Sequence, residues 1–151
     1  KLALVCPHLC GSRTDLDRLE RLLQKHPQLL VDTSHGPGQP GIDGFLNLER
    51  EHERLRTLIT AEPGRFLFGS DLVTMTIAGT IETSRIEWDQ QVRANIGLLE
   101  GERFEYLRPQ NDQGGMAWGE YRGLALEDAV LEPVMAGNAE RWLAGCLDAK
   151  P

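Results

Sequence analysis

No run of apolar residues in this 151-residue chain approaches the roughly 18 that a membrane-spanning helix needs, and its first residues do not read as a basic-then-apolar signal peptide. Basic residues are in the minority. Sixteen Lys and Arg stand against 23 Asp and Glu, giving a formal charge of −7 and a pI near 5.1. A surface that neutralises phosphates needs clustered Lys and Arg, so neither a nucleic-acid nor a membrane partner is expected. No block of five or six like charges marks an interaction tail. Repeats of solenoid period and low-complexity tracts are also missing. Cysteine is confined to Cys6, Cys10 and Cys146. An odd number in a chain with 40% hydrophobic residues reads as free thiols in a reducing, cytoplasmic compartment. Cys6 and Cys10 have no second Cys or His pair to complete a structural zinc site. The stretch Gly36 to Gly44 lacks the Lys of a P-loop, which counts against a flavodoxin-like phosphate-binding domain.

What is present suits one domain over 1–151, long enough to bury roughly 68–70% of its unfolded surface without a staple. Lys1 to Cys6 is a short apolar run with the look of a buried strand, ended by Pro7. A chain that starts inside a strand leads us to expect residues upstream. A helix is predicted from about Asp15 to His26, with Thr14 as N-cap and Leu16, Leu19, Leu22 and Leu23 on one face. Leu29 to Val31 reads as a second strand and residues 36–44 as a loop. Another amphipathic helix spans about Leu48 to Thr60, and Phe66 to Phe68 makes a third strand. Short uncharged strands alternating with helices are the pattern of parallel βαβ units. The expected class is therefore α/β, with a βαβαβ core over 1–71 and loops and closing helices over 72–151.

Farther on, residues 72–86 read as a long polar loop, and Asp89 to Leu99 as a helix with Val92, Ile96 and Leu99 on one side. Trp88 is placed to staple its start. Phe104 to Leu107 is ambiguous, Asn111 to Gly115 a turn, and Met116-Ala117-Trp118 either a lid or a packed surface loop. Leu126 to Met135 reads as helical with an interruption at Pro133. Gly137 stops it, and Asn138 caps a last short helix through Ala144.

Ligands of parallel α/β sheets and barrels meet the C-terminal strand ends, so the polar residues there are the candidates. His8 follows the first strand, Asp32-Thr33-Ser34-His35 the second, and Gly69-Ser70-Asp71 the third. Imidazoles and carboxylates converging at strand ends suit a divalent metal or general acid–base site. The alternative is that these side chains serve as caps and loop hydrogen-bonders. His8 and Asp71 favour function, since both end apolar strands at equivalent places. His26, at a helix C-terminus, and His52, on what reads as a solvated face, are not candidates.

Three segments carry a resemblance: Leu4-Val5-Cys6-Pro7-His8-Leu9-Cys10-Gly11, Leu30-Val31-Asp32-Thr33-Ser34 and Arg65-Phe66-Leu67-Phe68-Gly69-Ser70-Asp71. With the tail Met135-Ala136-Gly137-Asn138-Ala139-Glu140-Arg141-Trp142-Leu143, they resemble the last three strands and closing helix of the amidohydrolase-related family. These are metal-dependent hydrolases and decarboxylases built as (β/α)8 TIM barrels. The resemblance implies that His8 lies beside the metal and polarises substrate or water. It also implies that Asp71 binds the metal and takes a proton, that Ser70 helps hold that carboxylate, and that Asp32, Thr33 and Ser34 shape the substrate pocket. His35, inside a Gly/Pro loop, reads from its position as a loop residue, with substrate contact as the alternative. The family's His-x-His pair is absent, Cys10 stands where glycine is usual, and three strands are only the C-terminal portion of such a barrel.

The implied function is a zinc- or manganese-dependent hydrolase of a small cyclic ester, amide or carboxylic acid, incomplete as this segment alone. A decarboxylase using the same site is the near neighbour. The competing expectation is a non-enzymatic barrel remnant or assembly domain, in a homo-oligomer or with the remainder of the barrel.

Overall fold

The computed structural model describes residues 4–35, 44–72, 81–110 and 115–148. Strands β1 (Leu4–Cys6), β2 (Leu29–Asp32) and β3 (Phe66–Leu67) form a three-stranded parallel sheet in that order. Cys6 pairs with Val31 and Asp32 with Leu67, so the three strand ends lie side by side. The mixed α/β class expected from the alternating pattern is present. No helix among the described residues is long and apolar enough to cross a membrane.

Between β1 and β2 lie a one-turn segment, α1 (Pro7–Gly11), and the helix α2 (Leu16–Lys25). The leucine stripe of α2 packs as its spacing predicts, with Leu16, Leu19 and Leu23 buried and Leu22 against the core. Its N-cap is Asp15 rather than Thr14: the Asp15 carboxylate accepts the Arg18 backbone N–H at 2.9 Å. At the other end the favourable cation is Arg65 rather than His26. The Arg65 guanidinium donates to the carbonyls of Leu23, His26 and Leu29, tying the negative end of α2 to the sheet.

The segment α1 departs furthest from expectation. His8, Leu9 and Cys10 have φ of 56°, 51° and 59°, a left-handed turn of non-glycine residues. Each such residue costs about 1–2 kcal/mol. Complete burial of Leu9 and a Cys6–Cys10 disulfide accompany the turn. The pairing corrects the reading of these two cysteines as free thiols; Cys146 is free and exposed.

Two helices, α3 (Gly44–Arg50) and α4 (His52–Ala61), replace the single one expected, breaking at Glu51. Gly44 thus belongs to a helix, while the rest of the 36–44 loop lies outside the described residues. His52 is not on a solvated face. It is buried, and burial lowers its pKa.

The helix α5 (Ile81–Glu100) starts well before Asp89, so Trp88 lies inside it. Its buried stripe is Ala94, Asn95, Leu98 and Leu99 rather than one centred on Val92 and Ile96. The remaining part of the expected 72–86 loop, residues 73–80, lies outside the described residues. After α5 comes an antiparallel hairpin of β4 (Arg103–Pro109) and β5 (Met116–Arg122). This resolves Phe104–Leu107 as strand and places Trp118, half exposed, in a strand rather than in a lid. Residues 111–114 of the turn lie outside the described residues.

The hairpin docks closely on α5. A Cβ on Gly97 would meet Phe104 Cβ at 2.6 Å, and one on Gly123 would meet the Gly101 carbonyl at 2.2 Å. Backbone N–H groups of Leu124, Ala125 and Leu126 then donate to carbonyls of Leu98, Gly101 and Leu99. They fill the acceptors that a helix C-terminus leaves open. Phe45 fills the space between helix and hairpin, its ring 5.1 to 5.7 Å from those of Phe104, Tyr106 and Tyr121.

The C-terminal region is helical without a stop at Gly137. A short α6 (Asp128–Glu132) passes through a wide π-type turn at Pro133–Gly137 into α7 (Asn138–Asp148). Pro133 has no N–H to continue an ordinary helical ladder, which accounts for the widened turn. Asn138 is therefore no cap. It is buried, and its side-chain amide donates to the carbonyls of Pro63 at 2.7 Å and Phe66 at 2.6 Å. This anchors α7 to β3. Replacing Asn138 with Ala strands those carbonyls, and urea unfolding is expected to show a loss of about 2 kcal/mol or more. Arg21→Ala, on the exposed side of α2, serves as the control with little change.

Candidate functional site

The site assembles at the C-terminal ends of the parallel strands, from the residues that follow β1, β2 and β3. Its centre is one oxygen. Asp32 Oδ1 accepts three hydrogen bonds: from the His8 backbone N–H at 2.8 Å, the Ser34 N–H at 3.0 Å and the Ser34 hydroxyl at 2.6 Å. The first of these bonds holds the left-handed turn α1 over the end of β2. Gly69 allows β3 to approach the same group, since a Cβ there would lie 2.8 Å from Ser34 Cβ and 3.0 Å from Asp32 Cγ.

These bonds set the state of the His8 ring. Nδ1 lies 3.0 Å from Ser34 Oγ and 3.3 Å from the Ser34 carbonyl. Ser34 spends its own hydroxyl proton on Asp32, so its oxygen and its carbonyl both act as acceptors toward Nδ1. In the neutral ring the proton therefore sits on Nδ1, and Nε2 presents a lone pair. That lone pair faces Asp71 Oδ1 at 3.5 Å. The two side chains are 32% and 27% exposed, so solutes reach both.

Asp71 is held from behind. It has φ of 50°, and Gln91 Nε2 donates to its carbonyl at 2.6 Å and to that of Ser70 at 2.8 Å. Ser70 thus enters the site through its backbone carbonyl. Asn95 Nδ2 reaches the same carbonyl at 3.5 Å and the His35 carbonyl at 2.8 Å, while its Oδ1 accepts the His35 N–H at 2.8 Å. Gln91 and Asn95 escaped the sequence reading. Asn95 carries a signal in retrospect, as an amide inside a helix between Ala94 and Leu98 on the buried stripe.

His35 joins the site's support rather than its mouth. It is fully buried, its Nδ1 donating to the Thr33 carbonyl at 2.6 Å, its ring 5.7 Å from that of Phe45. Among the described residues Nε2 has no hydrogen-bond partner. Burial pushes its pKa down to about 3.

The donor set suits part of a metal site. Two ligands at about 2.0–2.2 Å from a tetrahedral ion lie about 3.4 Å apart, close to the Nε2–Oδ1 separation. A histidine whose other nitrogen is held by an outer partner is also the usual arrangement at such an ion. Among the described residues no group of three or more His, Cys, Asp or Glu is placed to hold a metal ion. His8 and Asp71 thus fit as two donors. Two cavities among the described residues border other side chains: one of about 410 Å³ is lined by Glu53, Arg56, Thr57 and Glu127, and one of about 190 Å³ by Leu4, Cys10, Leu22 and His26.

The buried His35 makes a pH prediction. In the unfolded chain it titrates near its ordinary 6.5, while the folded chain keeps it neutral to about pH 3. Its contribution to stability is full above pH 6.5 and falls progressively as pH drops toward 3, by at most about 1.4 kcal/mol per pH unit. His35→Asn keeps a donor near the Thr33 carbonyl without the titration. Urea midpoints between pH 7.5 and 4 are expected to fall more steeply in the parent chain than in this variant. No family model, no curated protein and no solved structure matches the chain.

Proposed function

We propose that the chain carries the His8–Asp71 half of a divalent-metal hydrolase site of the amidohydrolase-related type, on strands equivalent to the last three of a (β/α)8 barrel. The observation that carries this reading is a pair of acceptors facing one another. With Nδ1 protonated toward Ser34, the Nε2 lone pair and the Asp71 carboxylate stand 3.5 Å apart, an arrangement that calls for a proton or a cation between them. The parallel order β1-β2-β3 and the convergence of polar residues at its C-terminal ends support the same reading.

His8 Nε2 and Asp71, with further donors, would hold a divalent ion such as zinc or manganese, which would supply Lewis acidity toward a substrate oxygen or a water. The protein's own groups do the rest. Asp71 is placed to accept a proton from the attacking water, and Ser34 with Asp32 keeps the His8 ring turned so that the Nε2 lone pair would serve as a donor to the ion rather than polarise the substrate itself. Gln91 holds the backbone that positions Asp71. The substrate class is a small cyclic ester, amide or carboxylic acid. Decarboxylation uses the same residues, with Asp71 left to manage the proton that replaces carbon dioxide. A second reading takes its support from the two-donor set: His8 and Asp71 as an inherited structural pair in a non-enzymatic assembly domain.

The test is calorimetric titration of the chain with zinc and with manganese, beside turnover of a panel of small lactones, cyclic amides and carboxylic acids. His8→Gln and Asp71→Asn are each expected to weaken metal binding by the chain at least tenfold and, in a protein that also holds the rest of the barrel, to cut turnover by about 10²-fold or more. Arg21→Ala is expected to leave both unchanged. Metal uptake that is equal in the parent chain and in both site variants would overturn the proposal.

A further inference from the structure

We propose that Cys6–Cys10 is a redox-active clasp: oxidised, it keeps His8 in the left-handed turn, and two-electron reduction by a dithiol releases that turn. The inference concerns the regulation of the site described above, but its structural test does not depend on metal binding or turnover.

Three observations meet at this place. The disulfide spans Cys6 to Cys10, and the residues it encloses include His8 itself. Within that loop His8, Leu9 and Cys10 all hold positive φ, a conformation that L-residues leave readily when nothing compels it. The His8 position is then read out by named bonds: its N–H to Asp32 Oδ1 at 2.8 Å, and its ring between Ser34 and Asp71. Cys6 ends β1, paired to β2, and cannot follow the turn if the link opens. Cys10 is the mobile partner, held otherwise through its carbonyl, which accepts from Arg18 at 2.7 Å.

The chemistry balances as thiol–disulfide exchange. A thiolate of the dithiol attacks one sulfur of the pair, forms a mixed disulfide and expels the other cysteine as a thiolate, which takes up a proton. The second thiol of the reductant then closes its own disulfide and releases the first cysteine. Two electrons and two protons pass to the protein, and the dithiol leaves oxidised. Both cysteines are partly exposed, and Cys10 borders the cavity of about 190 Å³, which gives a reductant a way to the bond. In the reduced state the turn loses its covalent closure and is left with non-covalent contacts, among them Leu9 burial, the Ser12 N–H to the Leu9 carbonyl, and the bonds to Asp32, Ser34 and Arg18. The amide of His8 then opens more often, and Nε2 is no longer aimed at Asp71.

Amide hydrogen exchange, read by NMR on the full chain with and without reduced dithiothreitol, tests this directly. Alkylation followed by intact mass counts the thiols in each state. Reduction is expected to add two alkylatable cysteines and to speed exchange of the His8 amide at least tenfold, with the Leu19 and Val31 amides unchanged. Cys6→Ser/Cys10→Ser is expected to reproduce the reduced pattern in the absence of reductant. Equal His8 exchange in both redox states overturns the clasp, as does purified oxidised protein in which Cys6 and Cys10 both alkylate without reduction. If metal binding and turnover fail while His8 exchange responds to reduction, the clasp stands and the hydrolase reading falls. The reverse pattern leaves a hydrolase site that reduction does not regulate.

Discussion

Three hydrogen bonds to a single carboxylate oxygen, Asp32 Oδ1, join what would otherwise be separate strand ends. A carboxylate that accepts several N–H and O–H bonds holds its partners more tightly than neutral acceptors do. Here it fixes the His8 backbone, the Ser34 backbone and the Ser34 hydroxyl together. Each of those then determines something else: the peptide of His8 sets the turn, and the hydroxyl of Ser34 sets the tautomer of the ring. Remove the Asp32 oxygen and the left-handed turn loses its bond to β2, while the Ser34 proton becomes free to face Nδ1. The direction of the His8 lone pair is thus a consequence of Asp32, two bonds away.

The support behind this centre comes from a different part of the chain. Gln91 and Asn95 are one turn apart on α5, and between them they hold the carbonyls of His35, Ser70 and Asp71. For α5 to reach that place it must itself be seated, and the hairpin β4–β5 seats it. Gly97 and Gly123 permit backbone contact, and the segment after β5 fills the open carbonyls at the α5 C-terminus. Phe45 continues the same packing to His35. A buried neutral imidazole is stable in this setting because its Nδ1 proton and backbone groups are all engaged.

How far the sequence revealed this depended on whether burial was local. Parallel strands are covered on both faces, so Leu29-Leu30-Val31 and Phe66-Leu67-Phe68 stand out as apolar runs, and the residues just beyond them named most of the site. The hairpin hid itself. Of β5 only Tyr121 is deeply buried, while Met116 and Trp118 are exposed, so no alternation marks it as a strand. Missing the hairpin also hid the burial of His52: Arg122 on β5 bonds to Glu49 and Glu53, closing over a helix face whose charges looked solvated. The start of α5, with Ile81 and Ile86 exposed, has no apolar stripe to separate it from a loop. Cys6 and Cys10 pair only because the intervening residues turn left-handed, which no local propensity of Pro-His-Leu favours.

Backbone strain points to the same place as the side-chain chemistry. The non-glycine residues with positive φ among the described residues are His8, Leu9, Cys10, Asp71 and Ala125. All but Ala125 lie in the α1 turn or at the end of β3, and two of them, His8 and Asp71, are the residues whose side chains face each other. Each conformation is disfavoured alone and persists because other contacts compel it: the Asp32 bond and the disulfide at one side, Gln91 on the carbonyl at the other. The two side chains so held stand with Nε2 and Oδ1 3.5 Å apart, beyond an ordinary hydrogen bond. Strain on both sides of the pair is the condition under which the proposed cation would find its two donors already in place.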